Sequence, residues 1–82
     1  MNKFNRLKWQ CRRGTLELDI LLENYLKSGF LSAREQEKAA FVKLLRLEDS
    51  ELLPYLMGER TPGAEDLAQV VAKIRLLRPT QF

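Results

Sequence analysis

The stretch Arg12-Arg13-Gly14-Thr15-Leu16-Glu17-Leu18-Asp19 decides the fold, because the charge of the chain changes sign across a single glycine. Glycine tolerates a positive φ without steric cost and therefore commonly ends a helix. Carboxylates just beyond it suit the first turn of a new helix, where the helix dipole is positive. The pattern predicts a helix, a tight corner at Gly14 and a second helix. One compact polar surface would then gather Arg6, Trp9, Arg13 and Glu17.

The composition fits one small helical domain that covers residues 1–82. A content of 45% hydrophobic and 30% charged residues excludes a disordered tail. No apolar run approaches the roughly 18 residues that a transmembrane helix needs. The basic N-terminus lacks the apolar region of a secretory signal, so we expect a protein that is made where it works. The lone Cys11 is simplest to place in a reduced, cytosolic setting.

The sequence contains no recognisable catalytic constellation. It contains no histidine, which is the commonest general base at neutral pH and the commonest metal ligand. Glu17 and Asp19 are two apart on a predicted helix and therefore point in different directions. Two arginines beside Cys11 could favour a thiolate, but we prefer to interpret this cysteine as a small core residue. We predict a binding protein, with no catalytic residue, no metal site and no enzymatic activity.

Apolar spacing predicts five short helices, packed as a compact all-α bundle. Helix 1 should cover residues 3–12, with one apolar stripe formed by Phe4, Leu7 and Cys11. Helix 2 should cover residues 16–27, with Thr15 as its N-cap and Gly29 as its stop. No stretch alternates apolar and polar residues over the length of a strand.

Turn residues place the other three helices. The S-x-x-E sequence of residues 32–35 is typical of a capping box, which would open helix 3. Helix 4 should begin after residues 48–50, with Asp49 or Ser50 as its cap and Gly58 as its C-cap. Thr61 could cap helix 5 with Pro62 at the first helical position. Helix 5 should end before Pro79, and its apolar stripe is Leu67, Val70, Val71, Ile74 and Leu77.

The corner is the candidate site for a protein partner. Arginine meets carboxylates through two hydrogen bonds, tryptophan often anchors an interface, and an exposed glycine lets a partner backbone approach closely. Helix-dipole compensation explains the two acids almost equally well, as a purely structural alternative. The predicted partner-binding residues are Arg6, Trp9, Arg12, Arg13, Gly14, Glu17 and Asp19.

The run from Trp9 to Asp19 resembles the signature of the succinate dehydrogenase flavinylation factors, the SdhE (YgfY) family. Its R-G-x-x-E core falls on Arg13, Gly14 and Glu17. Further residues follow in the order and spacing expected of that family, namely Leu44, Leu45, Asp49, Leu52, Leu56, Met57 and Pro62.

This resemblance implies a five-helix assembly chaperone of the bacterial cytoplasm. Its client would be the flavoprotein subunit of succinate dehydrogenase and, in bacteria, of fumarate reductase. The chaperone would promote covalent attachment of FAD to a histidine of that client. FAD would belong to the client, and this chain would bind no cofactor stably.

Two alternatives stay open from the sequence. An antitoxin-type regulator, which acts on a toxin partner or on the cytoskeleton, would need only the same kind of protein-binding surface. A small nucleic-acid-binding domain is suggested by the five cations that precede Gly14, which no acid accompanies. Glu17 and Asp19 would repel phosphates, however, and the later helices lack a basic face. We therefore expect no nucleic-acid partner.

Overall fold

In the computed structural model, five α-helices and one π-helical turn follow one another along the described residues, 3–78, with side chains described from residue 5 onward. The elements are α1 (Lys3–Gln10), α2 (Leu16–Tyr25), the π-helical turn (Leu26–Phe30), α3 (Glu35–Leu44), α4 (Asp49–Leu56) and α5 (Glu65–Leu76). This order confirms the predicted all-α bundle. The packing expected of Phe4 and the stop expected at Pro79 lie outside what the structure describes.

One hydrophobic core joins the elements, with α5 packed against α2, α3 and α4. The predicted stripe of α5 is confirmed, because Val70, Val71 and Ile74 are buried and the two outer leucines pack against the core. Helix α1 joins the core through Leu7, and Cys11, the residue after the helix, is also part of the core. None of the helices within residues 3–78 is long and apolar enough to cross a membrane.

Three predicted helix starts are wrong by a few residues. Helix α3 begins after Arg34 and has no side-chain cap. Ser32 does not cap it because this serine lies in a preceding turn, in which the N–H of Ala33 donates to the carbonyl of Phe30 at 3.1 Å. Helix α4 already begins at Asp49, so neither this residue nor Ser50 is its cap.

Helix α5 begins at Glu65, after Ala64, and Pro62 is a buried loop residue ahead of it. The first turn of α5 instead carries Glu65 and Asp66, and the Asp66 carboxylate accepts the N–H of Leu67 at 2.9 Å. Carboxylates in this place compensate the helix dipole.

Gly58 ends α4 as predicted. Its φ is +81°, its N–H donates to the carbonyl of Tyr55, and the N–H of Glu59 donates to the carbonyl of Pro54 at 2.9 Å. This pair of bonds is a Schellman motif, which satisfies the last carbonyls of the helix. Pro54 itself lies inside α4, beyond its first turn.

Gly29, in contrast, does not stop a helix, because α2 runs directly into the π-helical turn and continues to Phe30. A Cβ atom on Gly29 would lie 2.9 Å from Cδ1 of Leu77 and 3.0 Å from Cε1 of Tyr25. The glycine therefore allows the end of α5 to approach closely. The side-chain amide of Asn24 strengthens this contact by donating to the carbonyl of Leu77.

We predict that Gly29→Val lowers the free energy of unfolding by about 1–3 kcal/mol, the usual cost of overpacking. Urea denaturation followed by circular dichroism measures this change. The matched control is Gly63→Val, because a Cβ atom there meets nothing within 4 Å. The control should change stability by less than about 0.5 kcal/mol. Equal effects of the two substitutions would contradict the packing role of Gly29.

Cys11 is a core residue, as predicted. Its side chain is fully buried. Burial, with a smaller contribution from Glu23, raises the pKa of its thiol to about 12 despite the opposing charge of Arg13. A thiol with such a pKa stays protonated at neutral pH and is a poor nucleophile.

We predict that the native protein reacts with iodoacetamide at pH 8 more than about a hundredfold more slowly than the chain in urea, because its thiolate is scarce and shielded. Mass spectrometry of the alkylated protein at timed intervals measures both rates. Similar rates in the two states would show that Cys11 is accessible and ionised in the fold.

Candidate functional site

The corner between α1 and α2 consists of residues 11–15. Gly14 has a φ of +83°, which confirms the predicted glycine turn, and a Cβ atom there would meet nothing within 4 Å. A side chain at this position would therefore be strained by the backbone conformation and not by crowding. Thr15 is the N-cap residue of α2, as predicted, although its hydroxyl makes no capping hydrogen bond.

The side chain of Arg13 is directed into the protein, onto the segment that joins α3 to α4. Its Nε donates to Oδ1 of Asp49 at 2.8 Å, and its Nη1 donates to the carbonyl oxygen of Leu45 at 2.7 Å. Its Nη2 donates to the carbonyl oxygen of Leu47. Only 14% of the side chain is exposed. The guanidinium thus uses its fork of donors within the chain, next to the negative end of the α3 dipole.

The Asp19 side chain binds the main chain of Arg13. Its Oδ1 accepts the backbone N–H of Arg13 at 2.6 Å, and its own N–H donates to the carbonyl of Thr15 at 2.9 Å. Arg13 is therefore fixed to α2 by its backbone and to the α3–α4 segment by its side chain. The sequence suggested dipole compensation or partner binding for Asp19, and the structure adds this hydrogen bond at the corner.

The other five predicted partner-binding residues are exposed. We call this set the corner surface: Arg6, Trp9, Arg12, Gly14 and Glu17. The Trp9 side chain is 65% exposed, on the face of α1 opposite Leu7.

The guanidinium group of Arg12 lies between Trp9 and Glu23. Its guanidinium carbon lies 5.5 Å from the centre of the Trp9 ring, and its Nε lies 3.6 Å from Oε1 of Glu23. These contacts restrict the arginine to a position beside the indole. Trp9 and Arg12, with Asn5 and Lys8, line a shallow depression of about 270 Å³.

Leu16 is an exposed residue that the sequence analysis did not assign to the site. Its side chain is 72% exposed, beside Gly14 and Glu17. The sequence spacing could have revealed this exposure, because Leu16 lies on the face of α2 opposite the buried stripe.

Asp49 was predicted from the sequence as a helix cap and not as a partner of Arg13. Its bond to Arg13 joins residues 36 apart in sequence, and no local pattern predicts such a pair.

Comparison with known proteins gives a consistent family. Residues 5–78 match the family model described as "Flavinator of succinate dehydrogenase". A Coxiella burnetii protein named "FAD assembly factor SdhE" is 40% identical over 72 residues, which cover 88% of each chain. Proteins of the same name from Shewanella oneidensis and Methylococcus capsulatus are 36% and 40% identical. These matches cover 85% of each chain for the Shewanella protein, and 94% of this chain and 93% of the relative for the Methylococcus protein.

The relatives are named assembly factors and not enzymes, which agrees with the prediction of a non-enzymatic protein. The resemblance seen in the R-G-x-x-E core is thus supported over most of the chain. The chain belongs to the family of succinate dehydrogenase flavinators.

Proposed function

We propose that this protein promotes covalent attachment of FAD to the flavoprotein subunit of succinate dehydrogenase, by binding that subunit through the corner surface. Family membership supports the general role. The single observation that supports the location is the largely exposed indole of Trp9, held beside Arg12 and next to an open glycine corner. Tryptophan and arginine are the residues that most often dominate binding energy at protein interfaces.

Each part of the corner surface would contribute differently to binding the client. The open space above Gly14 would allow a client backbone to approach closely, and the exposed Glu17 carboxylate would accept hydrogen bonds from the client. The depression beside Trp9 contains Lys8 and Arg12, which suit an acidic side chain. Because Arg13 already fixes the backbone of the corner, little ordering entropy would be lost on binding.

In this proposal FAD belongs to the client. Among the described residues, the depression beside Trp9 is shallow and open, whereas flavin sites normally bury most of the ligand. The work of this chain would be to hold the flavin-binding domain of the client in its reactive conformation. The family description names succinate dehydrogenase, so fumarate reductase as a second client stays a prediction from the resemblance alone.

We predict that Glu17→Gln prevents flavin attachment, because loss of a charged hydrogen bond typically weakens an interface by about tenfold or more. Wild type and variant are expressed in a bacterium that lacks the gene. Flavin fluorescence is then read from a denaturing gel at the size of the succinate dehydrogenase flavoprotein subunit. Wild type should restore the fluorescent band and the variant should not.

The matched control is Glu65→Gln, which removes the same charge from another exposed first-turn glutamate, that of α5. It should restore the band fully, and circular dichroism should show both variants equally helical. A band of equal brightness with Glu17→Gln, or in cells without the gene, would contradict the proposed function.

A further inference from the structure

We infer that Asp49 is a positioning residue for the corner surface, acting through Arg13; this inference rests on the proposed function of that surface. Asp49 lies at the start of α4, far along the chain from the corner. Its contact with Arg13 is a close ion pair, with 2.8 Å between Nε and Oδ1. A charge-assisted bond of this length is among the stronger hydrogen bonds in proteins.

The geometry makes Asp49 one of two carboxylates that fix a single residue. Asp19 holds the backbone N–H of Arg13, and Asp49 holds its guanidinium. The residue that follows is Gly14, whose backbone alone would be free to sample many conformations. The direction in which the chain enters Gly14 is therefore set by Asp19 on α2 and by Asp49 on α4, which holds the guanidinium together with two carbonyls of the α3–α4 segment.

Capping of α4 does not explain the side chain of Asp49. The N-cap residue is Glu48, and no side-chain cap hydrogen bond is present at this helix start. The Asp49 side chain is 42% exposed, whereas that of Arg13 is 14% exposed, so the pair lies at the edge of the core. Removal of the carboxylate would leave one donor of a largely buried guanidinium without its acceptor.

A loosened Arg13 would lower the affinity of the whole corner surface. A protein whose binding-competent conformation is populated only in part has an affinity reduced by that same fraction. Asp49 would thus affect client binding without touching the client. A residue that only stabilises the fold would instead affect every region of the protein together.

The test uses the full chain with Asp49→Ala and with the milder Asp49→Asn, which keeps an oxygen acceptor and the size of the side chain. The control is Glu51→Gln, an exposed acid in the same helical turn. Amide hydrogen exchange of the free protein is read at Arg13 and, for comparison, at the buried Phe41 of α3. Affinity is measured for the purified flavoprotein subunit of succinate dehydrogenase.

Both Asp49 variants should accelerate exchange at Arg13 and should weaken client binding by about threefold to thirtyfold, which lies within the range of coupling between contacting side chains. Exchange at Phe41 should not change, and Glu51→Gln should resemble wild type. Combining Asp49→Ala with Arg13→Ala should weaken binding no further than Arg13→Ala alone. Additive losses, or faster exchange at Phe41 by the same factor as at Arg13, would overturn the inference.

The affinity of the Glu17→Gln variant for the flavoprotein subunit distinguishes a failure of this inference from a failure of the proposed function. If Glu17→Gln weakens binding and Asp49→Asn does not, the positioning role of Asp49 is wrong and the proposed function stands. If neither substitution changes affinity, the corner surface is not the client site, and the inference is overturned together with the proposed function.

Discussion

The arrangement of this small protein depends on the hydrogen bonds that the guanidinium group of Arg13 donates. This group brings together the corner after α1, the segment between α3 and α4, and the first residue of α4. Two of its acceptors are main-chain carbonyls beyond the end of α3, which would otherwise face the solvent or remain unpaired. Asp19 completes the arrangement by holding the backbone of the same residue. The motif arginine is thus an internal anchor, whereas the residues of the corner surface around it are exposed.

This anchor lies next to the end of the first helix, because Arg13 follows α1 by three residues. Among the described side chains, α1 contributes Leu7 to the core and the corner contributes Cys11, whereas α5 packs against three other helices. A domain of this size buries only a modest fraction of its surface, so specific polar contacts weigh heavily in the position of each outer element. The Arg13 contacts therefore connect the stability of the bundle with the geometry of the corner surface.

Local features were predictable from the sequence, and distant ones were not. The stripe of α5, the turn at Gly14 and the end of α4 at Gly58 follow from spacing within a few residues, and all are present. The role of Gly29 was not predicted, because its nearest neighbour, Leu77, comes from the end of a different helix. The capping box at Ser32 failed because the π-helical turn places that serine in a tighter turn ahead of α3.

The candidate site also combines features that the sequence predicts with contacts that it does not. Arg13 and Asp19 were chosen for the site by residue type and by resemblance, yet residue type cannot reveal whether a guanidinium is directed outward or inward. Its partners lie 32 to 36 residues away. The exposure of Trp9 was predictable because this residue lies off the apolar stripe of α1. Leu16 lies off the apolar stripe of α2, so its exposure was predictable for the same reason.

The most direct test of the central claim is a nuclear magnetic resonance titration of the ¹⁵N-labelled chain with the flavoprotein subunit of succinate dehydrogenase. We expect the signals of the Trp9 indole and of the Gly14 and Glu17 amides to shift or broaden first, while signals from the core of α5 change only with the slower tumbling of the complex. Changes confined to the exposed faces of α3 and α5, with the Trp9 indole unaffected, would contradict the central claim.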